Sequence, residues 1–542
     1  MTPALPAKSI VAEHAAVASE QPIASAVGVD VLRSGGNAFD AAVATSYALA
    51  VTFHPAGGLG GDFFGMFYEA KTGKVRCLNA SGWSPSGLSL DQMLSRSDGK
   101  IPVTGPLSCV VPGYVAGISE MHRKMGTRDF KELLAPSIDL AMRGFPAGAA
   151  LCRSTAEAYQ DLPKEALEVF APGGRPPQPG ERITQPALGR VISEISEDGE
   201  EAFYSGWPAE SIISFLDSLG VTWTPRDLAD FKPEWATPLK LDYRGTTVYE
   251  VPPNSMGATS LLILKLLARG GPLPSRSLSK DRILRTMEAT LFAYARRDEM
   301  LGDPRFSDID VKAFLSPAKN PVRRQGRIRS GDTTAFSVVD SGGNMVAGIQ
   351  SLFLHFGSRV FIPKCGLVLN SRASGFSTVG PNRVEPRKRP LHTLSSMILA
   401  RGGRPYLAIG CSGGDYRPLQ HALFVTNSVD YRMSAQEIVA HPRFLRGGGG
   451  TLMVEDGYEL PDDGTYVIQK LPMPGRTGVC QAVEVSGRRR VAVCDIRGDG
   501  VPAGSEGHRA RIRREGGSLL PTTTVGSMYE SRLAPHEGRR RD

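Results

Sequence analysis

Ser330-Gly331-Asp332-Thr333-Thr334-Ala335-Phe336-Ser337-Val338-Val339-Asp340-Ser341-Gly342-Gly343-Asn344-Met345-Val346-Ala347 holds two strand-like runs and a turn. Thr334 to Val339 is rich in β-formers, and Met345 to Ile349 is similar. Asp340 to Asn344 between them carries the Gly, Asn and Asp chemistry of a hairpin turn. Gly331-Asp332 places a flexible residue just ahead of two hydroxyls. If the chain is cut before Thr333, the freed α-amine lies within reach of its own Oγ. Such an amine titrates near pH ~8, so it can act as a general base without a separate histidine. The plainer alternative is an edge hairpin whose threonines serve β-propensity, and the hairpin alone favours it. The rest of the chain decides between the two.

With 542 residues, 41% hydrophobic and 22% charged, the chain suits several average domains or one large layered one. The net charge of +8 owes part of its excess to Arg509, Arg511, Arg513, Arg514, Arg539, Arg540 and Arg541. No nucleic-acid recognition motif accompanies them, so residues 505–542 read as a solvated basic tail and nucleic acid is not expected as a partner. The seven cysteines form no C-x-x-C or zinc spacing. Their odd number points to reduced thiols rather than a disulfide framework. No signal peptide is legible in Met1 to Lys8, and no run reaches the ~20 apolar residues of a membrane span. A cytoplasmic protein without a membrane partner is expected.

Ala18 to Ser34 reads largely as a helix, stopped by Gly35-Gly36. Asn37 then caps a second, nearly uncharged helix from Ala38 to Val51, which suits a position between layers of a large core. His54-Pro55-Ala56-Gly57-Gly58-Leu59-Gly60-Gly61-Asp62 lacks the frame of a phosphate-binding loop and reads as a tight turn into a strand from Phe64 to Glu69. Further helices are expected up to Arg123, over 130–143, over 258–268 and from Glu288 to Met300. Residues 150–235 read as irregular, and the basic stretch 316–332 as a mobile linker.

These segments resemble the γ-glutamyltranspeptidase family from about residue 9 to about residue 503. Gly35-Gly36-Asn37-Ala38-Phe39-Asp40-Ala41-Ala42-Val43-Ala44 is similar to its GGNAxDAAVA stretch, and Gly57 to Asp62 to its GGLGGG turn. Val111-Pro112-Gly113, Leu301-Gly302-Asp303-Pro304 and the Thr333-Thr334-Ala335-Phe336-Ser337-Val338-Val339-Asp340 run match other family motifs. The resemblance implies an α+β fold, a four-layer αββα N-terminal-nucleophile hydrolase sandwich. It implies cleavage between Asp332 and Thr333 into a large segment, 1–332, and a catalytic segment, 333–504. The two would be partners interleaved in one core rather than separate domains.

In the catalytic roles, the resemblance assigns Thr333 as nucleophile, Ser351 as the hydroxyl that contacts it, and Gly413 and Gly414 as the oxyanion hole. It implies no metal and no organic cofactor. Substrate contacts map to Asn370, Arg372, Phe353, His392 and Thr393. Several of these depart from the family pattern. Trp83 stands where relatives carry an Arg that grips an α-carboxylate, Phe353 replaces an Asn, and Gly375 replaces an amine-binding Asp. Arg372 appears three residues before it. These changes favour a small-molecule acyl donor ending in an anion over a zwitterionic γ-glutamyl group, and hydrolysis over transpeptidation. The alternatives are an acylase or carbon–carbon hydrolase of secondary metabolism with the same nucleophile, and a non-catalytic member of the family. Gly410-Cys411-Ser412-Gly413-Gly414 also reads as a nucleophile elbow, with Asp430 and His441 in triad order, the rival enzyme reading.

Overall fold

Asp332 to Val339 forms one strand inside a seven-stranded antiparallel sheet, in a computed structural model that describes residues 8–316, 331–461 and 464–506. Its side chains alternate. Phe336 and Val338 point to one apolar cluster, Ala335 and Val339 to another. Both faces of the strand are therefore buried, as a period of two requires for a sheet enclosed on both sides.

In the two large sheets, the strands before the Asp332–Thr333 bond are β1 (Lys8–Ala12), β2 (Ala15–Ser19), β3 (Asp62–Glu69), β4 (Lys74–Ala80), β5 (Glu234–Ala236), β6 (Leu239–Tyr243) and β7 (Thr246–Glu250). Those that follow are β8 (Asp332–Val339), β9 (Met345–Phe353), β10 (Ser396–Arg401), β11 (Arg404–Cys411), β12 (Cys480–Ser486), β13 (Arg489–Cys494) and β14 (Ala503–Ser505). One sheet runs β1-β13-β12-β11-β10-β7-β6, the other β14-β2-β8-β9-β3-β4-β5. Each sheet thus combines strands from the two sides of the bond.

The sheets stack face to face over small and aliphatic side chains, among them Ala18, Met66, Ala347, Ala408 and Val483. The first helices, α1 (Pro22–Arg33) and α2 (Ala38–Thr52), cover the outer face of the β8 sheet. Across the molecule α3 (Gly257–Arg269) and α4 (Arg417–Val429) cover the other. The result is the expected order of helix, sheet, sheet, helix. Every residue of α2 is buried, and its alanines allow α1 to approach until a Cβ on Gly28 would lie 2.2 Å from Thr45 Oγ1.

Two expectations require correction. Ala18 and Ser19 belong to β2, and the helix begins only at Pro22. Their alanines have a β8 partner to pair with, Ser337 opposite Ala18 and Phe336 opposite Ser19, and that pairing overrides helix propensity. Residues 150–235 are not irregular. They contain helices at Ala149–Ala158, Pro186–Asp198 and Trp207–Ser218, among others. Pro186, Pro208 and Pro225 occupy helix first turns, where no N–H is needed. Strand pairing also runs to Ser505, one residue into the segment read as a tail. Most of the linker, 317–330, and 507–542 of the tail lie outside the described residues.

Asn37 and Asp40 form a capping box at the start of α2. Asp40 is fully buried and also accepts from Thr127 N (2.8 Å), Thr127 Oγ1 (2.6 Å) and Arg128 N (3.2 Å). Asp340 of the hairpin turn accepts from Ala38 N at 2.9 Å, so the helix N-terminus holds the loop that follows β8. Replacing Asp40 by Ala strands several buried N–H groups at once. Urea unfolding of an uncut Thr333→Ala background should show Asp40→Ala less stable by about 2–4 kcal/mol.

Candidate active site

Thr333 sits near the start of β8, opposite the last residues of β9, with 1% of its surface exposed. Its Oγ1 lies 2.6 Å from the carbonyl oxygen of Asp332 and 3.2 Å from Ser351 Oγ. Ser351 Oγ donates to the same Asp332 carbonyl at 2.7 Å. The Ser351 oxygen in turn accepts from Phe353 N (2.7 Å) and Arg372 Nη2 (3.2 Å). With both its acceptor positions filled, Ser351 directs its one proton to Asp332 O. The carbonyl of the Asp332–Thr333 bond is thus polarised, with the Thr333 hydroxyl beside it.

Arg372 lies wholly inside, not on the surface. Its guanidinium also donates to Thr393 Oγ1 at 3.0 Å, stacks 4.6 Å from the Phe353 ring centroid and pairs with Asp62 at 3.4 Å. Asp62 is the residue sequence reasoning missed. It is fully buried, accepts from Gly82 N at 2.7 Å and sits 2.9 Å from His392 Nε2. The signal was present. Where the family turn reads GGLGGG, this chain ends the turn in Asp62, an acid that answers the added Arg372. His392 Nδ1 accepts from Leu394 N at 3.1 Å, so the ring is neutral and carries its proton on Nε2. Burial, reinforced by the Arg372 charge, pushes its pKa down to about 3.

Of the five expected substrate contacts, Asn370 is placed elsewhere. Its amide nitrogen donates to Gly60 O (2.9 Å) and Val110 O (3.0 Å), and its oxygen accepts from Val110 N (3.1 Å). Its oxygen also accepts from Arg372 N at 3.1 Å, and a carboxamide spent on four backbone groups is a loop clasp, so we correct that assignment. His392 and Thr393 likewise touch Asp62 and Arg372, not the open cavity. Phe353 is 2% exposed at φ +82°, wedged between Arg372 and Gly331.

A cavity of about 410 Å³ opens beside the bond, lined by Gly331, Asp332, His355, Gly413, Arg153 and Glu20, among others. Gly413 has φ +127° and Gly414 φ +54°, conformations that only glycine adopts without strain. Gly413 thereby brings peptide backbone to the cavity wall. The Asp332 carboxylate folds back to accept from Thr333 N at 2.8 Å and pairs with His355.

The elbow reading finds less support. Ser412 does follow β11 and precede a helix, and its Oγ accepts from Val479 N at 2.8 Å. Asp430, however, bonds Tyr243 (2.9 Å) and Arg244, and His441 bonds Ser277 (3.1 Å). The three sit in separate networks. All seven cysteines are free and buried.

Two outcomes follow from this geometry. The depressed pKa of His392 contributes stability that is complete above its unfolded value of ~6.5 and is lost as pH falls toward 3. Nitrogen-15 NMR should therefore show the His392 ring neutral, protonated on Nε2, from pH 8 down to pH 5. Asp62→Asn leaves the buried Arg372 charge uncompensated, and denaturant unfolding should register a loss of about 3–5 kcal/mol.

Residues 24–505 match the family model described as gamma-glutamyltranspeptidase. The chain is 35% identical over 455 residues to the glutathione hydrolase-like YwrD proenzyme of Bacillus subtilis (strain 168), covering 81% of this chain and 86% of the relative. It is 31% identical over 463 residues to the oxamate amidohydrolase proenzyme of Klebsiella pneumoniae, with the same shares covered. Among solved structures it resembles a cephalosporin acylase from Bacillus halodurans with a TM-score of 0.85 at 29% identity, covering 92% of this chain and 97% of that one. The αββα sandwich is that of the N-terminal-nucleophile hydrolases. On fold and sequence together, the chain belongs to the gamma-glutamyltranspeptidase family as a divergent, γ-glutamyltransferase-like amidohydrolase.

Proposed function

We propose that the chain cuts itself between Asp332 and Thr333 and then uses Thr333 to hydrolyse the amide bond of a small acyl donor, γ-glutamyl or related. The observation that carries this reading is the placement of Thr333 Oγ1 and Ser351 Oγ at 2.6 and 2.7 Å from one carbonyl oxygen, that of Asp332. In the first step Thr333 Oγ attacks the Asp332 carbonyl carbon. The Oγ proton goes to the departing amide nitrogen, and Ser351 stabilises the oxyanion. Water then hydrolyses the resulting ester, releasing Asp332 as a C-terminal carboxylate and Thr333 with a free hydroxyl and amine.

In each catalytic cycle the Thr333 amine takes the Oγ proton as Oγ attacks the donor's carbonyl. The oxyanion faces the N–H groups of Gly413 and Gly414. The leaving amine carries the proton away, and water releases the acyl group from the ester.

The preferred acyl group ends in an anion. Trp83 cannot form a two-pronged contact with an α-carboxylate, and its indole N–H is already donated to Asp227 O at 3.2 Å. Gly375 offers nothing to an α-ammonium. Gly331 lies against Phe353 and Phe353 against Arg372, so departure of Gly331 and Asp332 uncovers the Phe353 ring with the Arg372 charge directly behind it. Arg153 adds a second positive group on the cavity wall. One relative is named for oxamate, itself an amide whose acyl group ends in a carboxylate.

Intact mass of the purified protein should show two fragments meeting at Asp332 and Thr333, absent in Thr333→Ala and retained in Ser412→Ala. A single uncut wild-type chain overturns the reading. In a panel of anilides, glutaryl and oxalyl donors should exceed γ-glutamyl by about tenfold or more in kcat/KM. Adding a dipeptide acceptor should change the product release rate little, since hydrolysis dominates.

A further inference from the structure

Glu20 has no role in the chemistry described so far. It follows β2 at the turn into α1, and pairing of Ser19 with Phe336 brings it beside the first residues of β8. It is 3% exposed yet lines the cavity together with Asp332. Its Oε2 and the hydroxyl of Thr334 are both buried without a hydrogen-bond partner among the described residues. A carboxyl placed this way is costly in a finished site. The structure, however, is that of the uncut chain, in which the group that completes the site does not yet exist.

We propose that Glu20 is a positioning residue that binds the α-ammonium of Thr333 once the Asp332–Thr333 bond is broken, and so governs when that amine is available as the base. The inference rests on the Thr333 reading above. Before the cut, the charged groups felt by Glu20 are the anions Asp332, Asp495 and Asp499. Of the basic groups on the same cavity wall, Arg497 is spent on Glu455 (2.6 Å) and Asp495 (2.9 Å), Arg476 on Glu157 (2.6 Å) and His355 on Asp332, while Arg153 also lines the wall. Lys8 Nζ donates to Gly498 O at 2.7 Å. Burial first, then the Asp332 charge, push the pKa of the Glu20 carboxyl well above the usual range and so favour its neutral form; the nearby Thr334 hydroxyl offsets part of this. Cleavage changes the charges around Glu20. It frees Asp332 to withdraw with its chain end, and it creates a cation at Thr333, next to Thr334. The carboxyl that was neutral in the uncut chain then ionises and holds the ammonium. A carboxylate so placed raises the amine's pKa, so the amine deprotonates at higher pH than it would alone.

Glutamine is the shape and charge of a protonated glutamate, which makes Glu20→Gln the discriminating variant. Its self-cleavage should match wild type, because the carboxyl is neutral before the cut. The probe for the mature site is p-nitrophenyl acetate, an activated ester that needs no recognition of its acyl group, read as the p-nitrophenolate burst with Thr333→Ala subtracted. The midpoint of the acid limb of the acylation rate should fall by about one pH unit in Glu20→Gln. Glu20→Asp, which keeps the charge, should stay within a few tenths of wild type. An unchanged midpoint in Glu20→Gln overturns the assignment, as does an uncut Glu20→Gln chain or a displaced midpoint in Glu20→Asp. An uncut wild-type chain takes down the Thr333 reading and Glu20 with it, whereas a cut wild type with an unshifted Gln profile removes Glu20 alone.

Discussion

Asp62 is a buried carboxylate on which the candidate site is built. Its two oxygens take Gly82 N, the His392 ring and the Arg372 guanidinium, all away from water. A charge in such a place is tolerated only when its partners are complete, so each partner is held in one position by what it would leave behind. Arg372 passes that order to Ser351 and Thr393, and Ser351 passes it to the Asp332 carbonyl. His392 contributes as a neutral donor, which keeps a second positive charge away from Arg372. The network thus joins β3, the turn after β9 and the loop before β10, drawn from both sides of the Asp332–Thr333 bond.

The second organising fact is where that bond lies. β8 is an inner strand, paired with β9 from Thr334 and with β2 from Phe336, and its register with β9 breaks between Asp332 and Thr334. Thr333 therefore sits at an irregularity just ahead of the regular ladder, where its hydroxyl contacts Ser351, and the cavity opens on its N-terminal side. The uncut chain fills part of that space with its own Gly331 and Asp332, which pack against Phe353 and pair with His355. Electrostatics point the same way, since Glu20 shares the cavity wall with Asp332 and its Oε2 has no hydrogen-bond partner among the described residues.

Much of this was legible in the residues. The alternation of Thr334 to Val339 and the Asp340 to Asn344 turn specified the hairpin, and the Asn37 cap with an uncharged Ala-rich run specified the buried helix. Both are local patterns whose physics needs no distant partner. Errors arose where a distant partner decided. Ala18 and Ser19 are strand because β8 runs beside them. Pro186, Pro208 and Pro225 begin helices because their neighbours have an apolar core to meet. Asn370 looked like a substrate contact and is a clasp, because Gly60 and Val110, far away in sequence, present three backbone groups to it.

By itself the sequence determined the family and the layered fold, since the motifs that carry the resemblance are properties of short segments, and through that resemblance it put forward Thr333, Ser351, Gly413 and Gly414 as candidates. Only the tertiary structure decided what Asp62, Arg372 and Glu20 face. Charges separated by hundreds of residues acquire meaning when burial removes water and leaves each with the neighbours the fold supplies. Asp62 and Arg372 are 310 positions apart in the chain and 3.4 Å apart in space, and a local reading has no access to that distance.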